Sequence, residues 1–395
     1  VKILHFNQYG SHQGGVEGYI ADVTAALQAR GHTSHLIALT PNDGGRPIAP
    51  TTYAPAPDWP SSIDAVTDVI RGVIAEFKPD VAYVHAVYHP GLVDWLAQSL
   101  PTVAYIHAPY PVCPGSAQYL RKSARVCPHT AGAICLIEAQ LEKCCWGRHP
   151  LKHIRLVERT RRFTQAHRKL RRVLVGSEFM RNLVIRGGTS ANSIECLSPV
   201  LLDSQQLPDF YAPDNTTVLY AGRLTTEKGI GHLIEALAVV PGRWRLLIAG
   251  DGPERGPSQV LARQLGVADR IEYLGWLDQR EMSRCFQQCT VVGFPSLWPE
   301  PFGRVGPEAY THGRPVVAYA TGGVPAWLTD GETGYLVTPG DTVQLGQRLR
   351  QLLEAPALCQ QMGERARRIA LERWAAERHI RQLISVFETA LTHEE

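Results

Sequence analysis

The stretch Thr217-Val218-Leu219-Tyr220-Ala221-Gly222-Arg223-Leu224-Thr225-Thr226-Glu227-Lys228-Gly229 runs a strand, a turn and the approach to a helix into thirteen residues. Its first five residues are apolar or β-preferring, and Ile230 to Val239 continues at helical spacing before Trp244-Arg245-Leu246-Leu247-Ile248-Ala249 reads as the next strand. The start of the chain uses the same device. Ile3-Leu4-His5-Phe6 is a strand, Gly10, Gly14 and Gly15 mark a loop, Val16 to Arg30 has helical period closed by Gly31, and His35 to Leu39 is a strand. Short apolar runs recur at 81–84, 102–106 and 173–175, and again at 271–274, 291–294 and 316–319, separated by helix-length segments. Runs of that kind suit parallel sheets covered on both faces. The expectation is an α/β protein of two doubly wound, Rossmann-like domains. Ligands of such sheets bind at the carboxyl ends of the strands, so a shared central cleft is expected.

The length of 395 residues supports the division, since single cores stop growing at roughly 250–300 residues. A proline-marked linker at 207–215 separates domain 1–200 from domain 201–373, with a hinge expected over 199–213. Residues from Val343 onward read as helix, broken near Trp374. A hydrophobic fraction of 44% and a charged fraction of 19% exclude a disordered chain, and the 35 Gly and 28 Pro follow no collagen-like period. No run approaches the roughly 18 apolar residues of a membrane span, and the first residues read as a strand, so a soluble, cytoplasmic protein is expected. The net charge of +3 conceals an asymmetry: residues 1–200 hold 21 Lys and Arg against 14 Asp and Glu, and residues 201–395 hold 19 against 23. An anionic or membrane-surface partner is therefore expected on the first half.

Two motifs carry chemistry. Arg223 and Lys228 set a guanidinium fork and an ammonium point charge on a strand-to-helix loop, near helix-start amides, a combination suited to a diphosphate or to a solvated surface loop. Glu300-Pro301-Phe302-Gly303-Arg304-Val305-Gly306-Pro307-Glu308 places two carboxylates eight positions apart, one in a Pro/Gly loop and one at a helix start. Carboxylates accept charge-assisted hydrogen bonds from paired hydroxyls of a sugar or ribose.

Together with Gly14-Gly15-Val16-Glu17, Gly250-Asp251-Gly252-Pro253, Thr321-Gly322-Gly323-Val324-Pro325 and Gly331-Glu332-Thr333-Gly334, these motifs resemble the retaining glycosyltransferases of family 4, the group 1 glycosyltransferases of GT-B fold. The resemblance runs the length of the chain. It implies that Arg223 and Lys228 hold the diphosphate of a nucleotide sugar and that Gly14 and Gly15 bring a backbone N–H to the same phosphates. It implies that Glu308 binds ribose hydroxyls, that Glu300 holds donor-sugar hydroxyls, and that amides of Phe302, Gly303, Arg304 and Val305 close over sugar and phosphates. His107, at the end of Tyr105-Ile106-His107, matches the family histidine beside the donor sugar. Gly250 and Gly252 fall near the nucleotide, and Leu274 and Trp276 near the base. The last helix, 374–395, is implied to pack back on the first domain.

The expected reaction is transfer of a sugar, from a UDP-sugar by preference, to a saccharide, lipid-linked or small-molecule hydroxyl. The family's same-face mechanism requires no covalent nucleophile. No Asp-x-Asp motif is present, so neither a metal nor a cofactor is expected. Three departures bear on donor detail: Ala326 replaces a common glutamate, Arg304 replaces a small residue, and Gly306-Pro307 precedes Glu308. Competing readings are a GT-B sugar-nucleotide epimerase or hydrolase and a non-catalytic sugar-nucleotide binder, which has no need of Glu300 or His107. A dehydrogenase is disfavoured because residues 10–15 lack the G-x-G-x-x-G spacing.

Five of nine cysteines, Cys113, Cys127, Cys135, Cys144 and Cys145, fall in one stretch without paired C-x2-C spacing, so loop packing is favoured over zinc or a local disulfide. Residues 151–172 hold nine Lys and Arg against Glu158, interleaved with Ile154, Leu156, Val157 and Phe163. That pattern is a basic amphipathic helix, either solvated or lying on an anionic membrane surface. No aromatic-basic motif points to nucleic acid.

Overall fold

The computed structural model describes residues 1–12, 14–41, 44–145, 149–200 and 216–392. They divide into two compact units, Val1–Leu202 with Ala376–Glu395, and Asp203–Ala375. The linker expected at 207–215 and most of the hinge expected at 199–213 lie outside the described residues.

The strands of the first unit are β1 Lys2–Asn7, β2 Thr33–Ala38, β3 Thr51–Tyr53, β4 Val81–Val84, β5 Thr102–Ile106, a hairpin of β6 Tyr119–Leu120 and β7 Arg125–Val126, then β8 Arg172–Val175 and β9 Ile194–Cys196. All but the hairpin form one sheet in the order β3-β2-β1-β4-β5-β8-β9, with every pair parallel. Alternation along the strands divides the apolar residues between two cores. Leu4, Phe6, Ala82, Val84, Ala104 and Ile106 face one. Ile3, Val81, Tyr83, Val103 and Tyr105 face the other, closed by Tyr19, Ile20 and Val23 of helix Gly15–Gln28 and by Ile380, Leu383 and Phe387 of the terminal helix Ala376–Thr392. Phe387 is fully buried there, so Phe387→Ala would cost about 3–5 kcal/mol and loosen the terminal helix.

In the second unit the strands are β10 Thr217–Ala221, β11 Arg245–Ala249, β12 Ile271–Gly275, β13 Val291–Phe294, β14 Val316–Tyr319 and β15 Gly334–Val337. Their order is β12-β11-β10-β13-β14-β15, again parallel throughout. The order reverses between β1 and β4 in one sheet and between β10 and β13 in the other, and these are the switch points where doubly wound sheets bind ligands. Helices Thr342–Glu354 and Pro356–Arg373 follow. Helical geometry stops at Trp374, which is buried with ring centroids 6.2 Å from Phe302 and from Tyr310.

The basic segment 151–172 is not one helix. Helix Pro150–His167 ends before Arg171 and Arg172, and Arg172 opens β8. Val157 and Phe163 are core residues, so much of its amphipathic pattern is accounted for by packing within the unit. Among the described residues no helix is long and apolar enough to cross a membrane.

Candidate active site

At the end of β10 the chain turns through Gly222, φ 151°, into the loop carrying Arg223 and Lys228. Two neighbouring glycines brace that loop. A Cβ at Gly250 would lie 2.0 Å from the Gly222 carbonyl oxygen and one at Gly252 would lie 2.4 Å from that of Leu224. The Gly222 N–H donates to Ala249 O and the Leu224 N–H to Asp251 O, each at 2.9 Å. Gly229, φ 71°, ends the loop where a Cβ would meet the Pro295 carbonyl oxygen at 2.0 Å.

This packing presents Lys228 to Glu300. The ammonium donates to Glu300 Oε1 at 2.5 Å, with the two side chains 17% and 7% exposed. It also lies 5.0 Å from the Trp298 ring centroid. The Tyr220 hydroxyl donates to Arg223 O at 3.0 Å, and burial, reinforced by the nearby Glu300 and Glu227 carboxylates, holds that phenol well above its ordinary pKa. Arg223 itself is exposed. Thr225 Oγ1 and Trp298 Nε1, flanking the pair in sequence, are buried without a hydrogen-bond partner among the described residues. Such orphans are uncommon in native folds and often mark functional positions.

The segment after Glu300 is held from behind. The Gly323 N–H donates to Glu300 O at 2.6 Å, and a Cβ on Gly322 would come within 2.4 Å of that oxygen. Trp327 Nε1–H donates to Phe302 O at 2.6 Å. Gly303 turns at φ 87°, and Val305 opens the short helix Val305–Thr311, whose first amides have no helical acceptor. A side chain at Gly306 would collide with the Trp327 ring, which accounts for the glycine of the unusual Gly306-Pro307 lead-in. Arg304 Nε–H donates to Glu308 Oε1 at 3.2 Å, so the departure at 304 forms an ion pair with the carboxylate expected at the ribose. Leu274 lines a cavity of about 440 Å³ with Thr217, Arg245, Glu281 and Gln288, among others, and Arg223, Lys228, Glu300 and Glu308 are not among its lining residues. Trp276 is exposed.

In the first unit Gly14 precedes helix Gly15–Gln28 and its carbonyl accepts from the Gly18 N–H at 3.1 Å. A Cβ at Gly15 would meet nothing within 4 Å, so nothing among the described residues of the unit requires glycine there. Glu17 is buried, and its Oε1 accepts from Asn7 Nδ2 at 2.8 Å while Asn7 Oδ1 accepts from the Ala86 N–H at 3.1 Å. His107 is half-buried, stacked on Tyr105 at 4.4 Å between centroids, and its Nε2 lies 3.2 Å from His85 Nδ1. A separate cavity of about 270 Å³ is lined by Gln8, Asp58, Tyr88, His89, Ser116 and Arg159, together with apolar residues. Sequence reading missed Trp298, Asn7 and His85. Trp298 stands two residues before Glu300, and His85 follows β4 as His107 follows β5, which is the signal that was there to use.

The cysteines of 113–145 are free thiols. Cys113 Sγ accepts from the Gln118 N–H at 3.4 Å, and the fully buried Gln118 side chain donates to Cys127 O at 2.7 Å and His129 O at 2.6 Å. Burial pushes the Cys113 thiol up to about 11. Among the described residues no group of three or more His, Cys, Asp or Glu is placed to hold a metal ion.

Comparison with known proteins follows the same division. Residues 13–199 match the model of Glycosyltransferase Family 4, and residues 209–369 match that of Glycosyl transferases group 1. The α-D-kanosaminyltransferase of Streptomyces kanamyceticus is 35% identical over 156 residues, 39% of this chain and 40% of that protein. The D-inositol 3-phosphate glycosyltransferase of Corynebacterium diphtheriae is 37% identical over 161 residues, 38% of each. The chain thus spans about two fifths of the length of these curated relatives. Anabaena Alr3699/HepE, solved in complex with UDP, superposes with TM-score 0.73 at 20% identity, over 98% of this chain and 100% of that one. The sucrose-phosphate synthase of Thermosynechococcus elongatus does so with TM-score 0.73 at 21% identity, over 98% of both. At such identities the likeness establishes the GT-B fold.

Proposed function

Because this chain belongs to the group 1, family 4 glycosyltransferases, we propose that it transfers a sugar from a nucleoside diphosphate sugar to an acceptor hydroxyl, with retention of configuration, in glycoconjugate or polysaccharide biosynthesis. The observation that carries the reading is the partly buried Lys228–Glu300 pair beside the unpartnered Thr225 Oγ1 and Trp298 Nε1. Lys228 and Arg223 meet the diphosphate, where negative charge grows as the bond to the sugar breaks. Cations fixed beforehand stabilise that charge without reorganising. Glu300 accepts hydrogen bonds from donor-sugar hydroxyls, its carboxylate held in place by Lys228. Glu308, oriented by Arg304, takes the ribose. In the first unit Gly15 offers an amide and His107 an imidazole to the donor. The acceptor hydroxyl attacks from the face the diphosphate leaves, and its proton passes to the departing phosphate oxygen. The cations take the place of a divalent ion, so chelators should leave the rate unchanged.

UDP is the proposed nucleotide, supported by the UDP bound to the similarly folded HepE. The cavity bordered by Tyr88, His89 and Arg159 is the proposed acceptor site, and its mixed hydroxyl, imidazole and guanidinium lining suits a saccharide. Thermal unfolding with UDP-, GDP- and ADP-sugars tests the donor: a selective rise with UDP-sugars is expected, and no rise with any of them would sink the reading.

Contact with an anionic membrane surface is a second element of the proposal. Exposed Ile137, Leu141, Leu151 and Ile154 lie on the packed helices Ile134–Leu141 and Pro150–His167, beside exposed Lys152 and Arg155. Salt-sensitive cosedimentation with phosphatidylglycerol vesicles is the expected result, and its absence removes this element alone.

A further inference from the structure

Beneath the carboxyl end of the first sheet three imidazoles stand in a row on three adjacent strands. His5 lies within β1, His85 follows β4 and His107 follows β5. The register sets His5 opposite Tyr83, two residues before His85, so the row climbs diagonally across the sheet. Ser34 Oγ lies 3.2 Å from His5 Nε2, His5 Nδ1 lies 3.1 Å from His85 Nε2, and His85 Nδ1 lies 3.2 Å from His107 Nε2. His5 and His85 are fully buried, their rings stacked at 7°. Tyr83 crowds His85 at 4.3 Å between centroids, and Tyr105 and Tyr19 pack on His107 at 4.4 Å and 5.2 Å.

Both nitrogens of His5 and both of His85 are occupied within this row. Burial keeps the two rings neutral at ordinary pH, pushing His5 down to about 3 and His85 well below its usual value. A neutral imidazole has one N–H and one lone pair, so each ring must donate through one nitrogen and accept through the other. The row therefore has a single polarity. In one state the Ser34 hydroxyl donates to His5, His5 Nδ1–H to His85, and His85 Nδ1–H to His107 Nε2, which leaves the proton of His107 on Nδ1. In the other every bond is reversed, the proton of His107 is on Nε2, and Nδ1 carries the lone pair.

We propose that His5 and His85 are positioning residues: they fix the ring of His107 and determine which of its nitrogens carries the proton, and hence whether Nδ1 acts as a donor or an acceptor in the transfer reaction. The proposal rests on the reading of His107 as a residue beside the donor sugar. It gives the row a role that packing does not, since an apolar pair at 5 and 85 would fill this face of the sheet at no cost in buried polar groups.

The test is ¹⁵N NMR of histidine-labelled protein combined with steady-state kinetics on the full chain. In the wild type, at a pH where its ring is neutral, His107 should show one tautomer. His85→Leu should mix the two tautomers and lower kcat about ten- to hundredfold, with the donor KM little changed. His85→Asn, whose amide reaches the place of Nδ1, should restore most of the rate, and His5→Asn should shift the tautomers with a smaller loss. An unaltered His107 tautomer in either folded variant, or wild-type kcat in His85→Leu, overturns the proposal. If His85→Leu does not fold, His5→Asn decides by the same two readouts. Full activity in His107→Ala would instead remove the role assigned to His107 in the reaction, while the tautomer measurement would still report on the row.

Discussion

The two units have sheets of like topology and keep polar groups beneath the carboxyl ends in opposite ways. In the first, the groups are neutral rings joined nitrogen to nitrogen, His5 to His85 to His107, with burial suppressing their charge. In the second they are an ion pair, Lys228 and Glu300, with unpartnered Thr225 and Trp298 atoms beside it. A neutral row keeps its internal hydrogen bonds whatever binds. A partly buried ion pair costs desolvation, and it is most useful where a charged ligand takes over one of its partners. Under the proposed function, the difference gives charge stabilisation to the second unit and orientation to the first.

The largest effect should come from breaking the ion pair. Lys228→Ala and Glu300→Gln are each expected to lower transfer about 10²- to 10³-fold or more, read as nucleotide release in the presence of acceptor. Lys228→Ala also strands a buried carboxylate, so its unfolding free energy should fall by about 3 kcal/mol. Glu300→Gln keeps the shape and should lose less stability. Unchanged turnover in both folded variants would erase the contrast between the units.

A backbone change comes next. Gly229 has φ 71° and no room beside Pro295 O. Gly229→Ala should destabilise the second unit by about 2–3 kcal/mol, seen as a lower urea midpoint, and should displace Lys228 with the loop. A wild-type midpoint would mean that the loop is not held as the structure shows.

Acid separates the units more gently. His5, His85 and His167 are held by burial below the ordinary value of 6.5, His5 to about 3 and His167 to about 4. Above pH 6.5 both folded and unfolded chains leave these rings neutral, so they confer no pH dependence. As pH falls from 6.5 towards 4 the unfolded chain takes up protons that the folded one refuses, and stability declines. In the second unit His232 and His312 are less completely buried and only lowered. Hydrogen exchange, corrected for its intrinsic rate, should therefore lose protection in β1 and β4 before β10 and β13 between pH 7 and pH 5. Equal loss in both sheets would contradict the neutral row.

The central strands of both sheets were legible because burial on both faces leaves continuous apolar runs such as Val81–Val84 and Val316–Tyr319. Apart from the short hairpin β6–β7, the strands left unread, Thr51–Tyr53, Ile194–Cys196 and Gly334–Val337, are edges. Two of them are three residues long, and the third begins inside the Gly331–Gly334 turn motif, so neither length nor alternation signals them. The site divides similarly. Arg223, Lys228, Glu300 and Glu308 stand in local motifs, but the Arg304–Glu308 pair and the joining of Lys228 to Glu300 across 72 positions need coordinates. His5 reads as an ordinary strand residue and His85, just past β4, goes unread, because a hydrogen bond between residues 80 apart leaves no periodic trace.

Gly15 gives the smallest and most selective test. Gly229 and Gly250 are glycines because the protein's own backbone presses on them, and Gly15 is not, since a Cβ there meets open space. It opens a 14-residue helix, where alanine is tolerated at least as well as glycine. Gly15→Ala should thus leave stability within about 0.5 kcal/mol of wild type. If the space exists for a phosphate approaching the helix-start amide, the added methyl stands in its way, and the donor KM should rise about tenfold, the equivalent of about 1.4 kcal/mol. A variant with wild-type stability and wild-type donor KM would confine recognition of the diphosphate to the second unit's cations, leaving the first unit the neutral row alone.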